Sequence, residues 1–162
     1  MATKLTKKQA AALLSAYENE QTAAANASIA AYNKAVDAET AEVQADVAAK
    51  EREANKTAAE AYDKALLETL IRRREVAETL GNWGLTRSGL VTSQNESIDR
   101  TQVVAQRTAS AKKAAALAKL SQRLLTAREQ AAAKKAKNTA SVQKTLASKV
   151  AEKKLTLNKA AL

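Results

Sequence analysis

Apolar positions recur along the first half of the chain at steps of four and seven: Tyr32, Val36, Val43, Val47, Ala54, Ala58 and Ala65. Four and seven make eleven, and eleven residues complete three helical turns at 3.67 residues per turn. Such a repeat predicts a long helix whose seam packs straight, or with a slight right-handed drift, on a partner. The third position of each repeat falls on Glu39 or Thr40, Lys50 or Glu51, and Ala61 or Tyr62, so the seam is narrow. Toward residue 80 it widens to Leu66, Leu67, Leu70, Ile71, Val76 and Leu80. The second half echoes the pattern. Leu120 and Leu124 return as Val142 and Leu146, one position of the intervening pair Ala131 and Lys135 fails, at the lysine, and Val150 and Leu157 continue the seam.

One interruption divides these two arms. Gly81, Gly84 and Gly89 are the only glycines, and they share nine residues with the only tryptophan, Trp83. There is no proline anywhere. The predicted elements are a helical arm over residues 1–80, a Gly/Trp loop over 81–93 and a second helical arm over 94–162. At 1.5 Å per residue the arms run roughly 110 and 100 Å. Thr6 with Gln9, and Ser93 with Glu96, fit capping boxes at the two starts. Gly81, directly after Leu80, suits a helix stop. The predicted fold class is all-α: long helix, Gly-rich loop, long helix, closed as an antiparallel hairpin within a multi-chain helical assembly.

Composition explains why partners are expected. Leu, Ile, Val and Phe number 29 of 162 residues, below the ~20% at which a highly charged chain is expected to stay disordered. Alanine, about a quarter of the chain, together with Lys, Glu, Gln and Arg, favours helix strongly. Long helices with so thin a seam bury too little alone, which predicts self-association or docking on a larger partner.

The chain has no Cys and no His. That removes thiolate and imidazole metal sites, Ser-His and Cys-His nucleophiles and disulfides. The carboxylate pairs Glu18 and Glu20, Asp37 and Glu39, and Glu51 and Glu53 are two residues apart and face different sides of a helix. No enzyme activity, cofactor, metal or small-molecule ligand is expected. The opening stretch, with its short run Ala10–Leu14, is too short and Ala-rich for a secretory signal. No segment approaches the ~18 apolar residues of a membrane span.

Charge is segregated. Residues 1–80 hold 11 basic and 13 acidic groups, and residues 81–162 hold 16 basic and 4 acidic ones. Folding back at the loop sets residue x near 176 − x. This places Glu51 and Glu53 by Lys119 and Arg123, and Glu39 and Glu42 by Lys134 and Lys137. Lys112, Lys119, Arg123, Lys134, Lys137, Lys144 and Lys159 fall within an arc of about 80° at 100° per residue, a candidate phosphate-facing stripe. No aromatic residue follows Trp83, so any nucleic-acid contact would be to the backbone. A membrane-surface role is disfavoured, because alanine and scattered leucine lie opposite the lysines where bulky apolar groups are required.

The segment Gly81-Asn82-Trp83-Gly84-Leu85-Thr86-Arg87-Ser88-Gly89-Leu90 matches neither GxGxxG nor GxxxxGK[ST], and no strand precedes it. Its apolar members read as anchors for a neighbour. The candidate docking residues are Leu66, Leu70, Ile71, Leu80, Trp83, Leu85 and Leu90. Set between Ala- and Gln-rich arms, this segment resembles small virion proteins of tailed bacteriophages, many of which carry a glycine-leucine-x-x-serine-glycine turn between long helices. These include internal or DNA-ejection proteins of short-tailed phages and some neck and tail components. The chain lacks the strongly apolar segments of the membrane-active ejection proteins. The resemblance implies a structural, non-enzymatic role in the virion after synthesis in the host cytoplasm. The implied partners are copies of itself, other virion proteins and, as a candidate, the DNA backbone. The alternative is a basic helical protein that binds or compacts nucleic acid without sequence preference.

Overall fold

The structure, a computed structural model, describes residues 6–161. Two helices account for almost all of them: α1, Lys7–Asn82, and α2, Gly89–Ala160. They pack against each other as an antiparallel hairpin, with no strand among the described residues. The chain divides into two compact units, each built from both helices. The terminal unit is Met1–Val43 with Leu125–Leu162, and the loop unit is Gln44–Leu124.

α1 begins at the expected capping box. The Thr6 hydroxyl accepts the Gln9 N–H at 3.2 Å, and Gln9 Oε1 accepts the Thr6 N–H at 3.0 Å. Two free donors of the first turn are thereby satisfied. The helix end differs from expectation. Gly81 lies inside α1, and the stop is Gly84, whose φ is 72°. The Leu85 N–H donates to the Leu80 carbonyl at 2.8 Å, and the Gly84 N–H to the Gly81 carbonyl at 3.0 Å. These are the two bonds of a Schellman motif, which needs a left-handed residue that glycine supplies without strain.

The turn then closes at once. The Ser88 N–H and hydroxyl both donate to the Leu85 carbonyl, at 3.1 and 2.9 Å. α2 starts at the next residue. The expected loop of 81–93 is therefore only 83–88, and Ser93 and Glu96 lie inside α2 rather than capping it. A shorter turn moves the fold-back point, so the register shifts by about one helical turn. Tyr62 bonds Ser110 and Arg73 bonds Asp99 in the loop unit, so x pairs near 172 − x there. Asp37 with Lys135 follows the same rule in the terminal unit.

The eleven-residue repeat is present. Val36, Val47, Ala58, Thr69 and Leu80 stand eleven apart along α1, and all five are buried. Thr40, Glu51 and Tyr62 supply the half-buried third position, while Tyr32 is exposed. In α2 the line Val91, Gln102, Lys113, Leu124, Lys135, Leu146 and Leu157 keeps the same spacing, and each member is buried or half-buried. Lys135 does not break the seam as its charge suggested. Its stem lies along the seam and its ammonium reaches Asp37 at 2.5 Å.

In the loop unit the buried set is Val47, Ala58, Ala65, Thr69 and Leu80 from α1 and Ile98 from α2. The buried Thr69 hydroxyl donates to the Ala65 carbonyl at 2.8 Å, so it needs no partner across the seam. In the terminal unit Ala10, Val36 and Leu157 are buried. That seam also holds two unpaired amide atoms, Asn33 Oδ1 and Asn138 Nδ2, at matching levels of the register. One is an acceptor and the other a donor.

Burial is shallow throughout. No large side chain among the described residues is fully buried. The accessible surface is 11990 Å², whereas a compact monomer of 17.2 kDa exposes about 7,800 Å².

Candidate functional site

The helix geometry decides which large apolar residues stay outside. Ala65, Thr69 and Leu80 occupy the loop-unit seam. Leu66, Leu67, Leu70 and Ile71 are neighbours of those positions in sequence, and at about 100° per residue they share an arc of about 140° on the side of α1 away from Ala65 and Thr69. All four are about half exposed, so the expected widening of the seam into this stretch does not occur. Val76 remains half-buried. Trp83 is 67% exposed at the turn, with Leu85 and Leu90 beside it in sequence and also exposed. Of the seven candidate docking residues, Leu80 is the exception. It is buried, because its carbonyl anchors the Schellman motif and its side chain joins the seam. Val103 and Val104 are exposed on α2 of the same unit and escaped the sequence reading. Their offset from the eleven-residue line was the available signal.

The seven candidate phosphate-facing residues separate into two kinds. Arg123 reaches Asp46 at 2.5 Å, and Lys134 reaches Glu39 at 2.7 Å. Folding back at 176 − x sets Lys134 opposite Glu42 and Arg123 opposite Glu53, and the register shift moves Lys134 to Glu39 and Arg123 to Asp46. Asp46 also accepts from Lys50 at 3.1 Å. The Lys50 hydrogen bond, helped by Arg123 and opposed by partial desolvation, holds the Asp46 carboxyl below its usual range. The hydrogen bond and charge of Glu39 raise the Lys134 ammonium above its usual value. These two cations already face carboxylates.

The other five, Lys112, Lys119, Lys137, Lys144 and Lys159, are exposed and form no ion pair among the described residues. Lys112 and Lys119 belong to the loop unit, and Lys137, Lys144 and Lys159 to the terminal unit. Lys112 and Lys119 flank a groove of about 580 Å³ between α1 and α2. Its floor is alanine, with Ala54, Ala58, Ala61, Ala109 and Ala116, closed by Leu120. Small seam residues leave this space because they fill less volume than the helix separation provides. Lys50 and Lys113 complete the basic rim, and Glu53 is its one carboxylate. The sequence reading did not identify Lys50 or Lys113 as functional.

Among the described residues no group of three or more Asp or Glu side chains gathers where it could hold a metal ion. No helix among them is long and apolar enough to cross a membrane. The loop unit exposes apolar side chains and ammonium groups. No family model matches the chain, and no curated protein and no solved structure is similar to it.

Proposed function

We propose that the chain is a structural, non-enzymatic assembly protein that works in several copies, as a virion component of the kind its turn resembles. One observation carries the reading. From Ala10 to Thr69 the buried seam of α1 is Ala, Val and Thr alone, while Leu66, Leu67, Leu70, Ile71 and Trp83 remain exposed. Burying exposed apolar surface of this kind stabilises an interface by roughly 25 cal/mol per Å². The excess of surface over a compact monomer gives the chain ample area to commit. A few large side chains concentrate interface energy, so the loop unit is the docking end.

Incorporation into purified particles tests the proposal. Mass spectrometry should detect the wild-type chain in density-purified virions. Trp83→Ala combined with Leu70→Glu should deplete it by at least about tenfold, as expected when hot-spot side chains are lost. Absence of the wild-type chain from the particles would overturn the virion role.

The second reading, binding to nucleic-acid backbone, is favoured by the five lysines without carboxylate partners. Duplex binding should then weaken with salt at a log–log slope of about −0.9 per phosphate neutralised. Arg123 and Lys134 already face carboxylates and should contribute little to that slope.

A further inference from the structure

The Ala-floored groove of the loop unit has a complementary surface elsewhere on the chain. A line of residues starts at Leu13 on α1 and runs in steps of three, four and four to Glu42. It follows the same eleven-residue repeat as the seam but lies on a different flank of the helix. Every residue on it is exposed. Leu13, Glu20 and Glu42 are its only members that are not alanine. α1 thus presents one small-residue stripe that α2 covers and a second that is exposed among the described residues.

We propose that this second stripe of one copy docks into the loop-unit groove of another copy. The proposal rests on the assembly reading above and names its interface. Charge selects the occupant. The groove rim carries Lys112, Lys113 and Lys119, beside Lys50 that Asp46 already holds, against Glu53. Of the six carboxylates in residues 9–49 of α1, Asp37, Glu39 and Asp46 already pair with α2, which leaves Glu18, Glu20 and Glu42 beside one lysine, Lys34. Alanine on both sides lets the backbones approach closely, as ridge-into-groove packing requires.

Lengths agree as well. The groove follows α1 from Lys50 to Ala61, about 16 Å of helix, and Glu20 to Glu42 spans about 33 Å. Alanines therefore cover the alanine floor, and each carboxylate falls about 8 Å beyond one end. The register sets Lys50 and Lys119 toward one end and Lys112 and Lys113 toward the other. An extended lysine and an extended glutamate meet across each gap. The two surfaces differ, so the contact is heterologous and propagates head to tail, closing only as a ring.

A charge swap in the full chain tests this, with mass distribution read by sedimentation velocity. Lys112→Glu with Lys119→Glu should weaken self-association at least about tenfold, and so should Glu20→Lys with Glu42→Lys. All four positions are exposed, and circular dichroism should show unchanged helix content. An equimolar mixture of the two variants should restore wild-type assembly, because each reversed surface then meets its opposite. Wild-type assembly by either variant alone, or a mixture as weak as its components, would overturn the docking and leave the assembly reading intact. A wild-type chain that never associates would overturn both.

Discussion

Alanine at Gly84 and alanine at Gly81 should move stability in opposite directions. Gly84 holds φ at 72° two residues beyond the last residue of α1. An L-residue in that left-handed region costs roughly 1–2 kcal/mol. Gly81 sits inside α1, where a Cβ would lie 3.9 Å from Thr86 Cγ2, an ordinary van der Waals contact. Alanine there gains roughly 0.5–1 kcal/mol by lowering the entropy lost on forming helix. The two variants should thus differ by about 1.5–3 kcal/mol. At about 2–4 °C per kcal/mol for a chain of this length, their melting temperatures should separate by roughly 3–12 °C. Thermal unfolding followed by far-ultraviolet circular dichroism, at one protein concentration, measures the difference. A destabilised Gly81→Ala beside a neutral or stabilised Gly84→Ala would place the helix stop at Gly81 and refute the six-residue turn.

Three further outcomes follow from the seam. Ala65→Leu, at a buried position outside the groove, should cost about 1–3 kcal/mol by overpacking, whereas Ala59→Leu on the exposed side should be nearly neutral in urea unfolding. Replacing Asn33 and Asn138 together by leucine should raise stability by about 1–3 kcal/mol in the same assay, because two unpaired buried amide atoms disappear. For Asp46 the folded pKa lies below 3.8, so its pairing contributes fully at higher pH and is lost as pH falls through the depressed value. The stability gap between wild type and Asp46→Asn should be constant near neutrality and close in acid. A gap that widens on acidification would contradict the assignment.

The helical hairpin and its seam were legible because periodicity survives poor composition. Val36, Val47 and Ala58 mark the same line in the sequence and in the buried set. The turn was less legible, since three glycines within nine residues offer several stops and only backbone conformation selects Gly84. That ambiguity alone displaced the register by a turn and sent Arg123 to Asp46. Lys135 was misread because residue type ignores the apolar stem that a lysine lays along a seam. Leu66, Leu67, Leu70 and Ile71 were assigned to the seam by apolarity without regard to angle. At about 100° per residue all four lie on the far side of α1 from Ala65 and Thr69, so they cannot join that narrow line. The groove was invisible in the sequence because it arises from what alanine fails to fill between two helices whose register was not yet fixed.

The central claim is that the chain's apolar exterior is made for other chains. Sedimentation equilibrium of the full-length protein, from sub-micromolar to hundred-micromolar concentration, tests it most directly. The mass should rise above 17.2 kDa with concentration, and the melting temperature should rise with it. A species of 17.2 kDa at every concentration, unfolding cooperatively at one fixed temperature, would contradict it.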